Sequence, residues 1–160
     1  MKGKGTPAAV SARVPIARLT AMVFRTLIDD LHAQLAARGF RDTGASYGYV
    51  LLEARNRSLG VTDVARLLGV SKQAASKLVS GMLEAGYLRS TGAEDLRERR
   101  VELSARGQRL LENVEEIYEE LEAQWAKVIG RKRVEALRKD LTTVLVARHG
   151  ALPSVRPTNR

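Results

Sequence analysis

The 160-residue sequence predicts one mainly α-helical unit with a single small β-hairpin, built around a close pair of short helices and flanked by long helices at both ends. Three observations predict it. Apolar residues recur at three- and four-residue steps over most of the chain, as on one face of an α-helix. That period breaks after Gly86, where a short alternating run takes over. And in "GVSKQAASKLV", Gly69 to Val79, a helix restarts almost as soon as the preceding one has stopped.

Composition narrows the class of partner. A chain 44% hydrophobic can bury one compact core with an appended dimerisation element. The formal net charge of +9 favours an anionic partner, nucleic acid or a membrane surface. Cysteine is absent, which removes disulfides, thiolate metal sites and thiol nucleophiles and suits a reducing cytoplasm. Arg13 and Arg18 interrupt the apolar stretch that a signal peptide would need, and no run approaches the ~18 apolar residues of a membrane span.

Residues 1–15, basic and rich in Gly, Pro and Ala, read as a flexible arm. From Ile16, the residues Leu19, Val23, Leu27, Leu31 and Leu35 mark a long amphipathic helix ending near Gly39. A second, short helix covers about Ala45 to Arg55, and "NRSLG" closes it with turn chemistry. Thr62 can cap a third helix whose inward residues are Val64, Ala65 and Leu68; Gly69 supplies a left-handed exit and Ser71 caps a fourth. So short a connection makes the two helices cross steeply, with small Ala65 allowing close approach, and the pair is a helix-turn-helix.

On the fourth helix Ala75, Leu78, Val79 and Met82 point inward, leaving Lys72, Gln73, Ser76, Lys77 and Ser80 outside. An ordinary solvated surface is the competing reading. Against it, no carboxylate occurs from Val64 through Met82, amide and hydroxyl groups stand where base edges could be read, and the first turn offers N–H donors to phosphate. After Gly86, Tyr87 and Leu88 open an extended run and Val101 and Leu103 alternate with charges, so a two-stranded hairpin is expected. Its tip presents Arg97, with Arg99 and Arg100 on the return strand. Asp95 reads as a carboxylate holding one of these arginines, and a weak surface ion pair is the equal alternative.

Ser104 caps a long fifth helix with Leu110, Val114, Ile117, Leu121 and Val128 along one seam, and its many glutamates make it a poor DNA surface. A last helix, about Arg131 to Arg148, aligns Val134, Leu137, Leu141, Val144 and Leu145. A small winged unit does not need these long stripes for its own core, so they are expected to meet a second copy. The chain then divides into the arm 1–15, a first dimerisation helix and connection 16–44, a winged helix-turn-helix 45–104, C-terminal dimerisation helices 105–148 and a tail 149–160.

The order of elements resembles the MarR family of winged-helix transcriptional regulators from about Ile16 to Arg148, most specifically in "VTDVARLLGVSKQAASKLVSGMLEAGYL" and "DLRERRVELSARG". The resemblance implies a homodimer on pseudo-palindromic operator DNA. Lys72, Gln73, Ser76 and Lys77 would occupy reading positions, Arg66 and Arg99 would contact the backbone, and Arg97 would enter the minor groove with Asp95 orienting it. It also implies repression relieved by a small-molecule effector. The sequence departs from the family pattern in lacking a basic start and Asp-Pro in the wing, and in placing Gly81 inside the recognition helix at about 1 kcal/mol of helix propensity.

Other functions stay open at this level. One is an architectural DNA binder of low specificity; another is a winged-helix module that binds protein. An enzyme is not expected: His32 and His149 are the only histidines, with no metal-ligand spacing, no Gly-rich phosphate loop and no nucleophile with a base partner, so no cofactor or metal is expected either. Tyr47, Tyr49 and Trp125 could line an effector pocket, although aromatic residues between helices more often belong to a core.

Overall fold

A computed structural model describes residues 14–41, 43–44, 46–91 and 100–153. These form six helices and three strands in the order α1 (Ile16–Ala37), α2 (Tyr47–Ala54), β1 (Leu59–Gly60), α3 (Val61–Leu68), α4 (Lys72–Glu84), β2 (Leu88–Thr91), β3 (Arg100–Leu103), α5 (Ala105–Ile129) and α6 (Arg131–His149). The arm before Val14, the wing tip 92–99 and the tail 154–160 lie outside the described residues.

Glycines end the helices where the sequence placed them. Gly39 and Gly69 are left-handed, at φ 86° and 66°, a conformation open to glycine at no Cβ penalty. At the turn after Gly69, the Ser71 hydroxyl accepts the Ala74 N–H at 3.1 Å, so α4 starts with its cap in place. The same device starts α5. Ser104 Oγ accepts the Gly107 N–H at 3.0 Å while donating its own proton to the Gly86 carbonyl at 2.6 Å. That hydroxyl therefore ties the exit of α4 to the entry of α5.

One expectation is corrected and one is extended. The N-cap position of α3 is Gly60, not Thr62, and the cap runs backward, with the Asp63 carboxylate accepting the Gly60 N–H at 2.9 Å. The expected two-stranded hairpin is present as β2 and β3, and a third strand joins it. Leu59 and Gly60 pair antiparallel with Val101 and Arg100, giving a three-stranded sheet in the order β1-β3-β2. A strand of two residues is too short to show alternation, so its sequence reads only as a turn.

The core draws on every element except α6. Leu31 and Leu35 of α1, Val50 and Leu51 of α2, Val64 and Leu68 of α3, Ala75, Val79 and Met82 of α4, Leu88 and Val101 of the sheet, and Leu110, Ile117 and Leu121 of α5 are all buried. Arg38 fastens the end of α1 to α5, donating to Asn113 at 3.0 Å and pairing with Glu116 at 3.0 Å and Glu120 at 2.8 Å. The far ends behave differently. α6 buries no residue, and Leu137, Leu141, Val144 and Leu145 face outward. Val128 of the expected α5 seam is 83% exposed. Ile16, Met22 and Phe24 at the start of α1 are 79%, 59% and 58% exposed, so the described residues do not cover those stripes.

One close approach was not legible in advance. A Cβ at Gly107 would overlap the Tyr87 carbonyl oxygen, so only glycine lets α5 lie this near the start of the sheet. Gly107→Ala should lower unfolding free energy by about 1–3 kcal/mol. Gly48→Ala in α2, where a Cβ meets nothing within 4 Å, should raise it by up to about 1 kcal/mol. Urea denaturation of the two variants checks the opposite signs.

Candidate nucleic-acid interface

Helix α4 is two-sided as a consequence of its spacing. Ala75, Val79 and Met82 are buried and Leu78 is partly buried against the core, while Lys72, Gln73, Ser76, Lys77 and Ser80 are all exposed. The Ser71 cap engages Ala74 N–H, and the amides of Lys72 and Gln73 precede the first intrahelical bond, as at any helix start. Among the described residues neither Lys72 nor Lys77 forms an ion pair. The face thus joins uncompensated positive charge to amide and hydroxyl groups, the chemistry of phosphate attraction and base-edge hydrogen bonding.

Beside it, Arg66 of α3 is 78% exposed, with its guanidinium 3.9 Å from Asp63. Arg97, Arg99 and Asp95 lie outside the described residues. The structure therefore brings six of the sequence-selected residues into one region, five on a single helical face and Arg66 on the adjoining helix.

Asp63 is the residue that sequence reading missed. Its carboxylate caps Gly60 and stands 3.7 Å from both Arg57 and Arg100. Arg100 continues inward, donating to Ser58 Oγ at 2.9 Å and to the Ser58 carbonyl at 2.6 Å. One carboxylate thereby joins the loop before β1, the first turn of α3 and the base of the wing strand β3. The Gly60 N–H, with Arg57, Arg100 and Arg66 nearby, holds its pKa below the usual carboxylate value against a smaller opposing effect of burial. The spacing of a helix-starting glycine and an aspartate three residues on was the available signal.

The aromatic candidates separate. Tyr47 and Tyr49 pack against the core, and Tyr47 meets the buried Tyr87 edge-on at 6.0 Å between ring centroids. Burial raises the Tyr118 pKa, with Tyr49 adding to the effect. A cleft of about 440 Å³ between α5 and α6 is lined by residues that include Glu119, Ala123, Lys127, Arg131, Val134 and Arg138, and by none of Tyr47, Tyr49 and Trp125. Among the described residues no group of three or more His, Cys, Asp or Glu side chains could hold a metal ion, and no helix is long and apolar enough to cross a membrane.

A helix-turn-helix with the polar face of its second helix outward, followed by a strand pair that leads into a long helix, is a specific arrangement. Residues 48–98 match the MarR family model. The chain has the MarR winged-helix fold. Apo MarR from E. coli superposes with a TM-score of 0.63 at 21% identity, over 82% of this chain and 98% of that one. MepR from S. aureus, in an F27L mutant bound to an oligodeoxyribonucleotide, gives 0.61 at 19% identity over 84% and 99%. The heme sensor PefR from Streptococcus agalactiae, in complex with heme, gives 0.56 at 17% identity over 82% and 92%. No curated protein matches the chain. The MarR resemblance read from the recognition helix and wing is thus met by both the family model and the fold.

The Asp63 network carries a pH signature. A carboxylate whose folded pKa lies below its ordinary value of 3.8 stabilises the fold fully above that value, and the contribution fades as the pH falls through the folded pKa. Asp63→Asn should lower the melting temperature at neutral pH, and the gap to the unaltered protein should close below about pH 4. Thermal melts across that range check it; a gap independent of pH would contradict the assignment.

Proposed function

We propose that this chain is a sequence-specific DNA-binding transcriptional regulator, a ligand-responsive repressor acting as a homodimer on a pseudo-palindromic operator. The observation that carries the reading is the outer face of α4. Lys72, Gln73, Ser76, Lys77 and Ser80 form an exposed polar and basic surface on a helix whose opposite side is locked into the core. Its activity is binding rather than catalysis. The DNA-bound MepR structure supports the choice of partner, and the heme complex of PefR supports a small-molecule effector as a class.

The roles divide by chemistry. Gln73 offers a bidentate amide suited to an adenine edge, whereas Lys77 and Lys72 supply charge on flexible stems suited to phosphate. Arg66 and Arg99 serve the backbone, and Arg97 serves the minor groove with Asp95 orienting it. The dimer rests on the uncovered stripes of α1 and α6, where Ile16, Leu19, Val23, Leu141 and Val144 are exposed in a single copy. Burying such surface is favourable at roughly 25 cal/mol per Å². Two copies so joined would set two recognition helices against successive major grooves.

Binding-site selection on random duplexes tests the whole reading. Inverted half-sites with centres about 10 bp apart are expected, and enrichment of no motif would favour an architectural binder instead. In the same assay Gln73→Ala should relax preference at one position of each half-site by about 1–3 kcal/mol with the salt slope nearly unchanged. Lys77→Ala should weaken all duplexes alike and lower the slope by about 1 per site. A mass measurement at low concentration should find a dimer; a folded monomer that binds the selected site with full affinity would overturn the dimer.

A further inference from the structure

Gly81 interrupts the recognition helix with the residue least suited to a helix interior after proline. It is flanked by a specific neighbour. A Cβ at position 81 would stand 3.2 Å from the Tyr47 hydroxyl oxygen, closer than ordinary van der Waals contact. On one side the Tyr47 ring is held by the Tyr87 ring, packed edge to face with it at 6.0 Å between centroids. Tyr87 is fully buried and anchored in turn, donating its N–H to the Met82 carbonyl at 2.9 Å and its hydroxyl proton to the Arg41 carbonyl at 3.3 Å.

We infer that Tyr47 is a positioning residue for the reading face of α4, with Gly81 as the gap that lets its hydroxyl set the helix's seat. Gly81 lies one turn beyond Lys77 on the same flank, and Gln73 lies two turns before it. A packed helix moves as a unit, so a displacement of a few tenths of an ångström at Gly81 reaches both side chains. Hydrogen bonds to base edges weaken over displacements of that size, whereas attraction to phosphate does not. The glycine therefore exchanges helix propensity for placement of the residues that discriminate between sequences. This inference rests on the reading of α4 as the DNA-contacting helix.

A double-mutant cycle of Gly81→Ala and Tyr47→Phe in the full chain tests it, read by affinity for the selected site, affinity for random duplex and melting temperature. Gly81→Ala should weaken the selected site by about three- to tenfold with random-duplex affinity little changed and the melting temperature not lowered. Tyr47→Phe removes the atom that the new methyl group meets. In that background Gly81→Ala should leave selected-site affinity unchanged and raise the melting temperature by about 2–4 °C, the full propensity gain. Equal affinity losses in both backgrounds would overturn the inference. So would a Gly81→Ala protein whose discrimination is intact, since a glycine kept only for packing would move the melting temperature alone. If the unaltered protein prefers no duplex, the regulator reading falls and the positioning role falls with it, a result visible before any variant is compared.

Discussion

Four elements of this fold converge on one tyrosine. Tyr87 closes α4 through its backbone, opens the wing strand β2 in sequence, receives the N-terminal turn of α5 at Gly107 and bonds the connection after α1 at Arg41. The guanidinium of Arg106 lies over its ring at 5.2 Å and over Phe40 at 5.7 Å, so charge covers what the aromatic rings leave open. The Tyr87 backbone carries the links to α4 and α5, and its side chain carries the bond to Arg41 and the packing against Tyr47. Its full burial, in a chain with few aromatic residues, reflects that job.

The parts of the fold that sequence made legible are those with a repeating signal or a capping residue. The apolar steps of α1 and α5, the caps at Ser71 and Ser104, the end of α1 near Gly39 and the left-handed exit at Gly69 all stand where pattern placed them. What escaped was either too short to repeat or set by partners distant in sequence. β1 has two residues; the Arg100 contact with Ser58 joins positions 42 apart. The same distinction holds at the candidate site. Every α4 residue chosen from helical spacing is exposed, because spacing alone decides the face of a helix. Asp63 was missed because its importance comes from three arginines that only the fold assembles.

Net charge does not separate the cations that serve the architecture from those left facing solvent. The arginines at 38, 57, 100 and 138 are each paired with carboxylates and serve the architecture. The lysines at 72 and 77 have no such partner among the described residues. A cation held by a neighbouring carboxylate is partly neutralised, while one left facing solvent keeps its full field. Formal charge of +9 does not distinguish the two, and geometry does.

The uninterrupted length of α5 has a mechanical consequence. Its 25 residues run without a break from the serine that grips the exit of α4 to the turn that launches α6. At 1.5 Å per residue the rod is about 37 Å long, and Arg38 clamps its middle turns. A tilt of about 3° about that clamp would move each end about 1 Å, in opposite senses. One helix without a hinge of its own would thus carry a rotation where α6 begins to the base of β3 at full size.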